Sequence, residues 1–155
     1  MAKEFSACEV IEMAVQIEKN GRDFYSAVYD MVKKKDIKNT FLILMEEEIK
    51  HIEIFEKIFS SSCDISPDAA YPDEYFAYLN AIAGAHVLFK KNEGKKIAKT
   101  IDNAKDAISL AIQFEKDSIL FYLEMKQVVP KKDQHLIDEL IIEEKKHLRC
   151  LTSLK

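Results

Sequence analysis

Glycine and proline are scarce, three of each in 155 residues. That leaves little turn-forming material for a many-stranded sheet, while glutamate, lysine, leucine, isoleucine and alanine abound, so helices are expected almost throughout. Positive charge is not in excess either. A formal net charge of -4 offers no basic field for nucleic acid, and the runs Lys33-Lys34-Lys35 and Lys95-Lys96 read as solvated loop charges between periodic segments. Cysteine is sparse and unpatterned. Cys8, Cys63 and Cys150 are odd in number, far apart and without a C-x-x-C, which suggests neither a disulfide framework nor a zinc or iron knuckle. Long apolar runs are missing as well: no segment approaches a membrane span, and the N-terminal MAKEFSACEVIEM carries charge where a signal peptide needs apolar residues. The expected setting is cytoplasmic, with neither membrane nor nucleic acid as a partner.

What is present fits one globular domain over residues 1–155, at 48% apolar and 32% charged residues. Ser6 followed by Glu9 has the form of a capping box, and apolar residues then recur at helical spacing, predicting a first helix over about residues 7–33. Asp36 can cap a second over about 36–59, where Ser60-Ser61-Ser62 breaks the pattern. A third fits about 103–128, from Asn103 with Asp106 three residues on, ending before Pro130, and a fourth about 132–154. The connection between the second and third is too long to be structureless in a compact domain. Pro72-Asp73-Glu74 resembles a first helical turn, and Tyr75, Phe76, Leu79, Ile82, Ala83 and Val87 form one apolar face. A crossover helix over about 73–90 is expected, ended by Asn92-Glu93-Gly94.

The chain also repeats itself. AVQIEKNGRDFY from Ala14 aligns with AIQFEKDSILFY from Ala111, and MEEEIKHI from Met45 is echoed by IIEEKKHL from Ile141. Two helical hairpins therefore look like copies, joined by the crossover. Each inward stripe carries an acid at a matching place. The first helix, along Ile11, Ala14, Ile17, Glu18, Gly21, Phe24, Tyr25 and Val28, carries Glu18; the third, along Ile108, Ala111, Phe114, Glu115, Ser118, Phe121 and Tyr122, carries Glu115. The second and fourth each contribute a Glu-x-x-His, Glu48 with His51 and Glu144 with His147.

Residues three apart share a helix face, so each glutamate and histidine can converge on one point. In an antiparallel bundle the six side chains meet in the core. Four unpartnered buried carboxylates would cost several kcal/mol each or take up protons, and no lysine or arginine lies in the stripes. Two divalent cations balance four glutamates, and two neutral imidazoles complete the set without adding charge. A lone Glu-x-x-His is common by chance and usually solvated. Two in matching register, each with a lone glutamate in an apolar stripe, point instead to a metal centre. Oxygen-rich ligation with one imidazole per metal suits iron or manganese, and zinc binds by its intrinsic affinity. Tyr25 and Tyr122 read chiefly as core packing, with a hydrogen bond to a ligand as the lesser alternative. Glu47 and Glu143 are as compatible with holding a ligand histidine as with a solvated edge. His86 and His135 read as non-ligands.

One glutamate from each of two helices and a Glu-x-x-His from each of the other two is the pattern of ferritin-like di-iron and di-manganese bundles. Through Glu18, Glu48-His51, Glu115 and Glu144-His147 the sequence resembles ferritin-like proteins of the rubrerythrin group over all four main helices. The resemblance implies an all-α, antiparallel four-helix bundle with a long helical crossover. It also implies two irons bridged by Glu48 and Glu144, with Glu18 and Glu115 as terminal carboxylates and one histidine on each metal. The reaction implied is that of reduced iron with hydrogen peroxide or dioxygen. Two departures stand out. No rubredoxin domain with paired cysteines is present, so electrons must come from a separate donor. Where that group has a further glutamate one turn beyond the third-helix ligand, this chain has Ser118. The six-donor set resembles bacterioferritin too, but tight hairpins and a long crossover argue against a cage. The expected function is a di-iron oxidoreductase of peroxidase or ferroxidase type; the alternatives are a non-catalytic iron-binding or storage protein and a helical interaction protein with a vestigial site. Long bundle helices often leave an apolar outer face, which suits a homodimer.

Overall fold

A computed structural model describes residues 7–62, 73–85 and 93–154. Among these there are helices and no strands. Helix α1 spans Ala7–Met31 and α2 Lys35–Ser62; α3 spans Asp73–Ala85 and α4 Glu93–Lys99; α5 spans Ala104–Met125 and α6 Gln134–Ser153, the last preceded by a 3-10 turn over Lys131–Asp133. The described residues form an all-α architecture. α1 packs mainly against α2, and α5 against α6, while α1 with α5 and α2 with α6 join the two hairpins into one bundle.

The stripes bury as their spacing dictates. Ile11, Ala14, Ile17, Phe24, Phe41, Phe55, Ala111, Phe114, Phe121 and Ile137 are wholly buried, because residues at i, i+3, i+4 and i+7 lie along one side of each helix. Near the end of α2 the inward residue is Ile58 rather than Phe59, which is half-buried. Asn103 caps α5: its Oδ1 accepts from the Asp106 backbone N–H at 2.9 Å and its Nδ2 donates to the Asp106 carboxylate at 2.9 Å. Asp36 is not a cap, because α2 already begins at Lys35; it sits in the first turn, where a carboxylate faces the positive end of the helix dipole. Pro130 precedes the 3-10 turn, and α5 ends at Met125 through turn hydrogen bonds such as Val128 N–H to the Met125 carbonyl, 3.0 Å. The Ser6 part of the expected capping box lies outside the described residues.

The crossover departs from its expected form. Asp73–Ala85 is helical as far as the described residues go, residues 86–90 of the expected helix lie outside them, and Glu93 and Gly94 begin α4 where a helix end was expected. Leu79, Ile82 and Ala83 are buried and Tyr75 donates to the Glu124 carbonyl of α5; the Phe76 side chain, Val87 and His86 lie outside the described residues. The reason for α4 is tertiary. It rests on α1, and a Cβ on Gly94 would lie 2.2 Å from the Asn20 carbonyl oxygen and 3.0 Å from its carbon, so a residue that ends helices when exposed is here the one small enough to let two backbones touch. Gly94→Ala is expected to lower stability by about 1–3 kcal/mol, read as a lower denaturant midpoint at unchanged m-value; an unmoved midpoint would mean that α4 is not docked on α1 in solution.

No helix among the described residues is long and apolar enough to cross a membrane. Cys150 is an exposed free thiol, whereas Cys8 is disulfide-bonded. The cysteine spacing suggested no disulfide framework, and spacing along a chain cannot reveal a single pairing created by tertiary packing.

Candidate metal centre

All six side chains singled out by their spacing come together in the middle of the bundle. Glu18, Glu48, His51, Glu115 and Glu144 are completely buried and His147 is 7% exposed. They form two overlapping groups, Glu18 with Glu48, His51 and Glu144, and Glu48 with Glu115, Glu144 and His147, whose ligand-type atoms lie within 4.8 Å of one another in each. Glu48 and Glu144 belong to both. The pseudo-repeat accounts for this: each hairpin supplies one lone glutamate from its first helix and one Glu-x-x-His from its second, and packing the hairpins together places the two sets face to face.

Both imidazoles turn Nδ1 inward. His51 Nδ1 lies 3.0 Å from Glu144 and 3.4 Å from Glu18; His147 Nδ1 lies 3.2 Å from Glu144, 3.7 Å from Glu115 and 3.8 Å from Glu48. The two rings stack, 5.6 Å apart. Six buried atoms in the cluster, Glu18 Oε2, both oxygens of Glu48, His51 Nδ1, Glu115 Oε2 and Glu144 Oε1, have no hydrogen-bond partner. A buried polar atom without a partner is costly, and six converging ones fit a common electropositive partner. Hard carboxylate oxygens with imidazole nitrogen match the preferences of divalent first-row metals.

Without such a partner the groups settle their charge by moving protons. Burial, then the charges of Glu18 and Glu144, push the Glu48 carboxyl well above its usual range. Burial and Glu144 do the same to Glu115. At Glu144 burial opposes the charge, but the His51 imidazolium, with Glu115 and His147 beside it, holds the carboxyl well below its usual range. Burial also opposes protonation of the histidines. At His51 the carboxylates of Glu144 and Glu18 outweigh it and push the ring well up, and at His147 the neighbouring carboxylates of Glu115 and Glu144 raise the value to about 10.

The residues around the cluster differ from what spacing suggested. Tyr25 donates to Glu115 Oε1 and Tyr122 to Glu18 Oε1, so each tyrosine braces the lone glutamate of the opposite hairpin. The reading of both as packing residues is thus incomplete, although each also packs, Tyr25 edge-on to Phe114 and Tyr122 against Phe55. The signal was available: both sit two turns beyond the glutamates, at matching places in the repeat. Glu143 bonds His51 Nε2 at 2.7 Å, while its counterpart Glu47 pairs with Lys50 at 2.8 Å. His135 is exposed at the start of α6. Ser118, one turn beyond Glu115, is wholly buried. In the first hairpin the same place belongs to Gly21, where a Cβ would lie 2.5 Å from Phe114 Cζ and 3.2 Å from Glu48 Oε2. Gly21→Ala is therefore expected to cost about 1–3 kcal/mol, because a core ring cannot swing away as a surface side chain would; equal melting of variant and parent would contradict this packing.

A comparison with curated proteins finds no match. Among solved structures the chain is similar to one described as a ferritin-like diiron-carboxylate protein from Thermotoga maritima, with 26% identity and a TM-score of 0.72, covering 100% of this chain and 97% of that one. The family model for rubrerythrin matches residues 9–155, and the chain belongs to the rubrerythrin family.

Proposed function

We propose that Glu18, Glu48, His51, Glu115, Glu144 and His147 hold two iron ions, Glu48 and Glu144 reaching both, and that the protein is a di-iron oxidoreductase acting on hydrogen peroxide or dioxygen. The observation that carries this reading is the pair of overlapping donor groups, buried and with six unpartnered atoms. Family membership supports iron over manganese or zinc. Bound iron supplies the electrons for reducing the oxidant and stabilises developing charge on oxygen.

The chain's own residues supply position, proton and access. Glu143 orients the His51 ring through Nε2 and so fixes which nitrogen faces the centre. Tyr25 and Tyr122 hold the two lone glutamates through hydroxyls whose ionisation burial disfavours, followed by Glu115 at Tyr25 and Glu18 at Tyr122, so both remain proton donors at neutral pH. The surrounding phenylalanines exclude bulk water. A cavity of about 350 Å³, lined among others by Glu47, Glu143 and His147, reaches the cluster from one side and admits a small oxidant.

Electrons for repeated turnover are supplied, in this reading, by an external donor. Exposed Ile43, Ile49, Leu120, Leu123 and Ile142 are apolar outer-face residues of the kind a homodimer covers. The test is to load the protein with Fe(II) without air, mix it rapidly with peroxide, and follow oxidation with and without a chemical reductant. Repeated turnover supports the oxidoreductase reading. One slow oxidation with no turnover would overturn it in favour of iron storage.

A further inference from the structure

Outside the dinuclear cluster, a third group of metal-ligand type stands on its outer side. Glu47, His51 and His147 offer ligand atoms within 4.8 Å of one another. Since His51 and His147 both direct Nδ1 at the buried carboxylates, their other ring ends face away from the core, and Glu143 already meets His51 there. Glu47, Glu143 and His147 line the cavity, whose exposed members include Ile43, Lys146 and Cys150. The cavity thus runs from exposed side chains to the back of a ligand histidine.

The pseudo-repeat makes Glu47 informative. Glu143 and Glu47 occupy equivalent places, one residue before the paired glutamates Glu144 and Glu48. If both served only to orient a histidine, Glu47 would bond His147 as Glu143 bonds His51. It pairs instead with Lys50, whose side chain is 64% exposed. Such a surface ion pair is weak, and a divalent cation readily displaces the ammonium. The Glu47 carboxylate and the His147 imidazole, with Glu143 lining the same cavity, are donors that a first-row divalent cation accepts.

We propose that Glu47, together with the outward end of His147 and with the Glu143 carboxylate beside them, is an entry station that holds Fe(II) at the base of the cavity before it passes to the dinuclear centre, the outward nitrogen of His51 staying with Glu143. This rests on the reading of the six inner residues as ligands. The half-buried carboxylates of Glu47 and Glu143 concentrate the cation at the cavity floor, and His147, common to both groups, is the hand-over point. Nothing is oxidised in the step. The cation exchanges Glu47 for the inner carboxylates as Lys50 returns to Glu47.

The experiment reads uptake rather than turnover. Metal-free protein is mixed with Fe(II) without air, quenched at increasing times with an Fe(II) chelator, and the protected iron counted. The parent is expected to protect two irons. Glu47→Gln is expected to reach the same final count at least about tenfold more slowly, because the local attraction that speeds capture is lost, and Glu47→Asp to recover most of the rate. Blocking the Cys150 thiol with a bulky neutral maleimide is expected to slow loading as well, whereas Cys150→Ser treated identically loads as the untreated parent does. Parent-like loading by both Glu47→Gln and the blocked protein would overturn the proposal and leave the dinuclear centre intact. A final count below two in Glu47→Gln would also overturn it, by making Glu47 part of the centre itself. A parent that protects no iron would instead remove the dinuclear reading, and the entry station with it.

Discussion

Fe(II) added to the metal-free protein without air is expected to raise its melting temperature steeply, and Glu48→Gln to abolish most of that rise. A site bound at about a thousand times its dissociation constant stabilises the folded state by about 4 kcal/mol. In a chain of this length each kcal/mol moves the midpoint by about 2–4 °C. Two tight sites therefore correspond to a rise on the order of 15–30 °C. Glu48 is the sharpest residue to change because it belongs to both groups, so one substitution weakens both positions; Glu18 and Glu115 each belong to one. The effect on the metal-free protein runs the other way. Both Glu48 oxygens are buried without a partner, and replacing a buried ionisable group by a neutral one of similar size is often neutral or stabilising. Glu48→Gln should accordingly melt at or above the parent without metal and far below it with metal. Calorimetric melts of both proteins, with and without Fe(II), check this; a variant that still shows the full metal-dependent rise would remove Glu48 from the ligand set.

Metal affinity is expected to climb with pH, and proton release on binding to account for it. In the metal-free cluster Glu48, Glu115, His51 and His147 all hold protons more tightly than usual, His147 up to about pH 10. Every one must be given up before its lone pair can serve a metal. Each proton displaced steepens the apparent affinity by about tenfold per pH unit, so between about pH 6 and 8 the affinity for Fe(II) should rise by at least that factor per unit. Titration calorimetry in buffers of different ionisation enthalpy counts the protons, and an affinity indifferent to pH would contradict the cluster's protonation.

The same shifts set the stability of the metal-free form. The raised histidines stabilise the fold fully below their unfolded value of about 6.5, and the contribution from His147 is lost as pH rises through about 10. The raised carboxyls of Glu48 and Glu115 act in the same direction, their contribution declining as pH climbs above the unfolded value of about 4.3. The depressed Glu144 contributes fully above that value and adds no further slope. Metal-free protein should therefore grow less stable from weakly acidic to alkaline pH while the iron-loaded form gains, so that chelation at alkaline pH is the most damaging treatment.

Much of this was legible in the chain. The two hairpin copies, the apolar stripes and the six cluster residues are properties of spacing, because a helix presents positions three and four apart on one side whatever it packs against. A charged residue in an otherwise apolar stripe shows itself for the same reason. Other features depend on what lies across the fold. Tyr25 reaches Glu115 and Tyr122 reaches Glu18 only because α1 and α5 are neighbours. Gly94 reads as a stop signal in the sequence and begins α4 in the fold because Asn20 of α1 leaves space for nothing larger. The disulfide at Cys8 and the choice of Glu47 for Lys50 rather than His147 likewise had no local signal. The sequence by itself determined which residues turn inward and how the copies match, since helical periodicity is a local property of the backbone. Only the tertiary structure decided which inward residues touch across the bundle, because distances between helices arise from packing that no single helix encodes.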